Sequence, residues 1–316
     1  MKFTVLGCGR WGTFLACYLH KQGHEVLLWG RESSAKLNTL IKFRANDYLT
    51  LPRDITLSSS LYEALNFSDY ILVAIYGSEL AQFLKRLTAV NDSPKNYVLC
   101  MKELDYSTGS LLTDVVKQSV NPLSKVAICV GPVQPKEFVK NGEHACMIVD
   151  SDDTQLKTYL ANCLTGAEIV FFVGDDLIGN QICAAAKNII GIGGGILEGL
   201  RSTTLKGNLM VMGTYEIANL IRAMGGKMQT AYGLCCLGDY SATLFSANSN
   251  SINYGKSLVT GESMGLYTPG ARSAQALMLV KNKYGVDMPV CEMISCIISG
   301  KEPPNKLISV LQQKGF

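Results

Sequence analysis

The sequence predicts an α/β N-terminal domain built on a doubly wound, mainly parallel sheet, followed by an all-α C-terminal domain. Three observations carry this. A Gly-rich turn, Gly7-Cys-Gly-Arg-Trp-Gly12, directly follows a short apolar strand pattern. Short β-branched runs alternate with amphipathic helical stretches as far as about residue 175, as a parallel sheet requires. Beyond Asp175-Asp176 the pattern changes to long helical stretches with no strand signal. A chain of 316 residues is long enough for two domains, expected at 1–175 and 176–316.

Lys2 to Leu6 reads as a buried strand, and Thr13 to Gln22 as a helix that stops at Gly23. Glu25 to Trp29 is the next strand, completing a β-turn-α-β unit of about 30 residues around GxGxxG. In that context Gly7 permits the tight turn, Gly9 lets a pyrophosphate approach the backbone, and Gly12 lets the helix pack on the strand. Arg10 and Trp11 lie within the turn and are expected cofactor contacts, and the N-terminus of the following helix offers free N–H groups to the anion. This is the pattern of a dinucleotide-binding Rossmann domain. The second strand ends Trp29-Gly-Arg31-Glu32. An acidic residue there favours NAD, whereas Arg31 can clamp a 2′-phosphate and stack on adenine. The expected cofactor is therefore NADP, with NAD left open by Glu32.

Further along, Leu51 to Ser58 is extended, Leu61 to Leu65 a short helix, and Asp69 to Ile75 a strand covered on both faces. Ser78 to Leu87 is an amphipathic helix and Tyr97 to Met101 a strand ending at Lys102. Thr108 to Val120 reads as helix and Val126 to Val130 as a strand that runs into Gly131-Pro132. Ala145 to Val149 and Glu168 to Phe172 are the last strand candidates. Ligands of such sheets sit off the carboxyl ends of the strands, which places Lys102 and Gly131 where substrate contacts arise.

The second domain opens with Gly179 to Leu200, an apolar helix carrying Lys187 among small residues. Desolvation shifts the pKa of such a lysine and suits it to proton transfer. The glycines of GIGGGILEG cost about 1 kcal/mol each in a helix, which implies a close neighbour, either backbone or ligand. Leu205 to Met224 is helical. Thr230 to Tyr240 carries Asp239 after an apolar segment, where it can orient a lysine. The polar stretch 246–253 reads as a covering loop or linker. Helices near Ala274 to Tyr284, Pro289 to Ser299 and Pro304 to Gln313 close the chain.

Composition narrows the function classes. A net charge of +3 with no basic block interleaved with aromatics argues against nucleic acid. The most apolar stretch, Ile182 to Leu200, is broken by Lys187 and Glu198, so no membrane span is expected. No signal-peptide pattern precedes the first strand, and the expected compartment is the cytoplasm. Eleven cysteines lie scattered in apolar strings without a CxxC pair, as free thiols would, and no metal site is expected.

Over essentially its full length the chain resembles the bacterial-type glycerol-3-phosphate dehydrogenases. The family's GxGxWGT opening is matched by Gly7 to Thr13, its AAxKN helix by Ala184 to Asn188, and its GLxGxGD segment by Gly233 to Asp239 with Thr243 four positions on. Lys102, Val130-Gly131-Pro132 and the late Gly285 to Val290 match further family segments. The resemblance implies hydride transfer between NAD(P)H and C2 of a small ketone, most simply dihydroxyacetone phosphate, giving sn-glycerol 3-phosphate. It implies Lys187 as general acid/base, Lys102, Asp239 and Thr243 as positioning groups, Asn253 as a phosphate ligand, and a homodimer. The chain departs from the family where SRN becomes Ser251-Ile252-Asn253, where Glu103 replaces glycine, where Tyr76 replaces proline, where Gly131-Pro-Val-Gln-Pro-Lys136 replaces GPN or GPS-A-x-E, and where the position of the family's late VEG glutamate falls near Pro269. Either the substrate has changed, or Lys136, Arg201 or Arg272 takes the place of the missing arginine. A non-catalytic NADP(H)-binding regulator is the alternative from another class.

Overall fold

The computed structural model describes residues 1–246, 249–262 and 269–313. It divides into two compact units, one of residues 1–101 and 112–175, the other of 102–111 and 176–316. Residues 102–111, expected with the N-terminal domain, pack with the helical unit. One contact shows it: Gly109 adopts φ +72°, and a Cβ there would stand 2.8 Å from Val280 Cγ2.

The first unit runs β1 (Lys2–Leu6), α1 (Arg10–Lys21), β2 (Glu25–Trp29), α2 (Ala35–Phe43), β3 (Thr56–Ser58), α3 (Leu61–Phe67) and β4 (Tyr70–Val73). It continues with α4 (Gly77–Val90), β5 (Asn96–Leu99), α5 (Leu112–Ser119), β6 (Lys125–Val130), α6 (Pro135–Asn141), β7 (Ala145–Ser151), α7 (Thr154–Leu164) and β8 (Ile169–Val173). The eight strands form one sheet in the order β3-β2-β1-β4-β5-β6-β7-β8. Strand β7 is antiparallel to β6, and every other neighbouring pair is parallel. Phe3, Val5, Leu28, Ile71, Leu72 and Val98 are fully buried, so the central strands are covered on both faces. The order reverses between β1 and β4, the switch point where open α/β sheets bind ligands.

The second unit is helical: α8 (Leu177–Gly199), α9 (Lys206–Ala223), α10 (Asp239–Phe245), α11 (Asn250–Thr260), α12 (Pro269–Tyr284), α13 (Pro289–Ile298) and α14 (Lys306–Leu311). The stretch Thr230 to Tyr240 is made of short turns. A 3-10 turn at Met228–Tyr232 and a π turn at Leu234–Gly238 precede α10. Polar residues 249–253 are not a loop. Ser249 caps α11, its side chain accepting from the Ile252 amide, so the helix starts within the stretch read as a linker. Ala247 and Asn248 of that stretch lie outside the described residues.

The glycines of α8 admit backbone. A Cβ on Gly195 would overlap the Ile252 carbonyl, and one on Gly255 would overlap the Ile192 carbonyl. Helices α8 and α11 therefore touch main chain to main chain, which no larger residue would allow. At its start α8 is held by Asp176, whose carboxylate accepts from the amides of Gly179 and Lys227 and from Thr230 Oγ1. That satisfies one orphan amide of the first turn of α8 and ties the 3-10 turn to it.

Candidate active site

In the first unit the Gly-rich turn joins β1 to α1. Gly7 sits at φ +120°, and a Cβ there would overlap the Ala74 carbonyl. A Cβ on Gly12 would overlap Gly7 O, so the helix packs against the turn only because both residues are glycine. Gly9, by contrast, would place a Cβ with no atom within 4 Å. Packing therefore explains Gly7 and Gly12 but not Gly9, whose open side lies at the N-terminus of α1. That is the surface a pyrophosphate needs, and these residues fit a dinucleotide. Thr13 steadies the turn by donating to Gly9 O at 2.8 Å. Arg10 is exposed, and its carbonyl accepts from Tyr48 Oη. Trp11 stacks on Phe14 at 5.3 Å.

Arg31 follows β2 and pairs with Glu79 of α4 at 3.6 Å. Gly131 follows β6 at φ +148°, where a Cβ would stand 2.8 Å from Met147 Cα. That contact with β7 accounts for glycine at this position by packing alone.

In the second unit the geometry centres on Asp239. It is 2% exposed and opens α10, where the helix N-terminus favours a carboxylate. Its two oxygens hold two lysines: Oδ2 accepts from Lys102 Nζ at 2.6 Å, and Oδ1 from Lys187 Nζ at 2.8 Å. Lys187 also donates to Thr243 Oγ1 at 3.5 Å, and that hydroxyl donates to the Asp239 carbonyl one turn back, at 2.9 Å. Two ammoniums on one carboxylate leave one positive charge in a desolvated place. Burial lowers the Lys187 pKa to about 8; the adjacent Asp239 carboxylate opposes that shift, and the Lys102 charge adds to it.

Sequence reasoning named Lys102, Lys187, Asp239 and Thr243, and the structure brings all four together. It gives no such contact for Asn253, which is half-buried on α11 with its amide bonded back to Ser249. The residues without an assigned role are Asn188 and Ser251. Asn188 donates to the Lys102 carbonyl at 3.4 Å and faces Ser251 Oγ at 3.5 Å. The available signal was adjacency, since Asn188 follows Lys187 on an otherwise apolar helix. Ile252 is 1% exposed and lies against α8, so the position carries no cation. Of the proposed substitutes for it, Lys136 pairs with Asp47 at 2.5 Å in the first unit. Arg201 is exposed just beyond α8 at φ +57°. Arg272 lies on α12, and residues 263–268 before that helix are outside the described set.

The model of the NAD-dependent glycerol-3-phosphate dehydrogenase N-terminus matches residues 2–157, and that of the C-terminus matches 176–309. The chain belongs to the NAD-dependent glycerol-3-phosphate dehydrogenase family. A relative from Pseudoalteromonas translucida, named glycerol-3-phosphate dehydrogenase [NAD(P)+], is 32% identical over 92% of this chain and 90% of its own length. One of the same name from Fusobacterium nucleatum is 29% identical over 94% and 92%. The crystal structure of glycerol-3-phosphate dehydrogenase from Coxiella burnetii superimposes with a TM-score of 0.90 at 24% identity, covering 99% of both chains, which is a likeness of fold. As in other dehydrogenases of this family, a sheet domain and a helical domain follow one another in the chain. Among the described residues no helix is long and apolar enough to cross a membrane.

Proposed function

We propose that this family member reduces dihydroxyacetone phosphate to sn-glycerol 3-phosphate, reversibly, with NADPH preferred over NADH. The observation that carries the reading is the buried Lys102–Asp239–Lys187 set with Thr243 against it. When bound, the reduced nicotinamide supplies the hydride. Lys187, as an ammonium, donates a proton to the C2 oxygen of the ketone as negative charge develops there. In the reverse direction its neutral amine takes the proton back. Asp239 fixes the direction of Nζ and keeps the ammonium populated near neutral pH. Lys102 adds a second positive charge toward an anionic substrate, and the residual charge of the set favours a phosphorylated one. Gly131, Asn253 and Thr243 complete the substrate contacts of this reading. Gly7, Gly9, Arg10, Trp11, Gly12 and Arg31 hold the cofactor. Free thiols throughout suit a reducing cytoplasm, and the family resemblance suits a homodimer.

Ile252 supports a second reading within the same chemistry, in which another polyol phosphate or a hydroxyacyl compound replaces dihydroxyacetone phosphate, since a buried isoleucine offers no clamp to a phosphate. A binding protein without turnover would have no use for two lysines held in a desolvated place. Oxidation of NADPH with dihydroxyacetone phosphate, followed by nicotinamide absorbance beside NADH, separates these readings. Turnover that favours NADPH is expected. Tight NADPH binding without turnover would transfer the reading to another ketone.

A further inference from the structure

In the sheet order β2-β1-β4, the strand β1 that feeds the Gly-rich turn lies between β2 and β4. Arg31 stands just past the carboxyl end of β2, and Glu79 in the first turn of α4, just past β4. Their ion pair, at 3.6 Å, therefore spans the switch-point crevice past the end of β1, beside the end of β2 where the adenosine ribose lies in this class of sheet. Both side chains are exposed, so the pair is weak and easily exchanged. The N-terminus of α4 favours a carboxylate at Glu79 whether or not Arg31 is present.

We infer that Glu79 is a positioning residue that sets cofactor choice: it holds Arg31 across the crevice and gives it up only to a ligand carrying a 2′-phosphate. The inference rests on the reading of Arg31 as the 2′-phosphate cation. A 2′-phosphate brings more negative charge to the guanidinium than the carboxylate does, and can be clasped in a bidentate way. A ribose with a free 2′-hydroxyl cannot displace the carboxylate from Arg31. Its hydroxyl can donate to the Glu79 carboxylate instead. The pair thus tempers the preference and leaves both cofactors usable.

The test is calorimetric titration of the full-length protein with 2′,5′-ADP and with 5′-AMP, which differ by the 2′-phosphate. Glu79→Gln should tighten 2′,5′-ADP by about two- to fivefold, the range of one exposed ion pair, and leave 5′-AMP unchanged or weaker. Arg31→Ala should weaken 2′,5′-ADP selectively, and in that background Glu79→Gln should lose its effect. The gain should shrink at high salt. Equal changes for both ligands, or an effect that survives Arg31→Ala, would overturn the role of Glu79. If Arg31→Ala leaves the ratio of the two affinities unchanged, the reading of Arg31 itself fails, and with it the inference.

Discussion

The two units handle charge in opposite ways. In the sheet unit the charged pair at the crevice is in water, Arg31 and Glu79 keeping 58% and 43% of their side-chain surface. What cannot change there is backbone: Gly7 and Gly12 are fixed by contacts that leave no room for a Cβ, and Gly9 faces open space. In the helical unit the backbone contacts are structural and the charges are sequestered, Lys102, Lys187 and Asp239 keeping 17%, 13% and 3%. A surface for binding a dinucleotide can rely on amides and exchangeable ions. A group that must give up a proton needs a shifted pKa, and here desolvation is the largest source of the shift.

The largest test of this contrast is Lys187→Ala. It should lower kcat by about 10²–10⁴-fold while NADPH affinity stays within about twofold. Parallel loss of cofactor affinity would show that the helical unit is not the separate seat of the chemistry. In the native protein, ketone reduction should fall as pH rises through about 8, because the ammonium is the acid, and the reverse oxidation should rise over the same range. The stability contribution of this group has its own sign. The folded-state pKa lies below the ordinary 10.5, so the unfolded chain holds more protons between about 8 and 10.5, and stability rises with pH in that window.

Asp239→Asn comes next. It leaves two buried ammoniums without a counter-charge and should destabilise the fold by about 3–5 kcal/mol, read from chemical denaturation. It should also move the inflection of the reduction profile to lower pH, since Asp239 is the group that raises the Lys187 pKa. An unchanged inflection would remove Asp239 from control of that proton.

A glycine pair sharpens the comparison at smaller scale. Gly195→Ala, which would meet the Ile252 carbonyl, should cost about 1–3 kcal/mol of stability. Gly9→Ala, which would meet nothing in the protein, should change stability by under about 0.5 kcal/mol yet weaken NADPH by about tenfold or more. Unchanged NADPH affinity in Gly9→Ala would sink the pyrophosphate reading of that turn.

A last test concerns Glu216 of α9. It is 4% exposed and accepts from the amides of Val290 and Cys291, holding the start of α13. Burial raises its pKa to about 7 from the ordinary 4.5, with the two amides opposing the shift. The folded state then binds more protons between about 4.5 and 7, so this contribution is fully present below about 4.5 and is lost as pH rises through about 7. Glu216→Gln should flatten that slope, worth about 1–3 kcal/mol across the window by thermal or denaturant unfolding at stepped pH. A slope that persists in the variant would assign it to other groups.

Much of this molecule was legible in order along the chain. The strand-turn-helix around Gly7 to Gly12, the alternation that builds the sheet and the switch to helices after Asp176 are local patterns, since period and turn chemistry act over a few residues. Lys187 was legible because a lone ammonium in an apolar helix is conspicuous. What could not be read was distance between remote segments. Helix α11 looked like a linker because its composition is polar, and its stability comes from glycine-to-backbone packing on α8 that no local pattern reports. The segment 102–111 followed a strand and so read as part of the sheet unit, while its contacts lie with the helices. The residue types of the proposed proton-transfer site were thus set by the sequence alone. The tertiary structure decided that Lys102, Lys187 and Asp239 share one carboxylate, because folding brings residues 102, 187 and 239 within hydrogen-bond reach, and burial there makes that pairing obligatory.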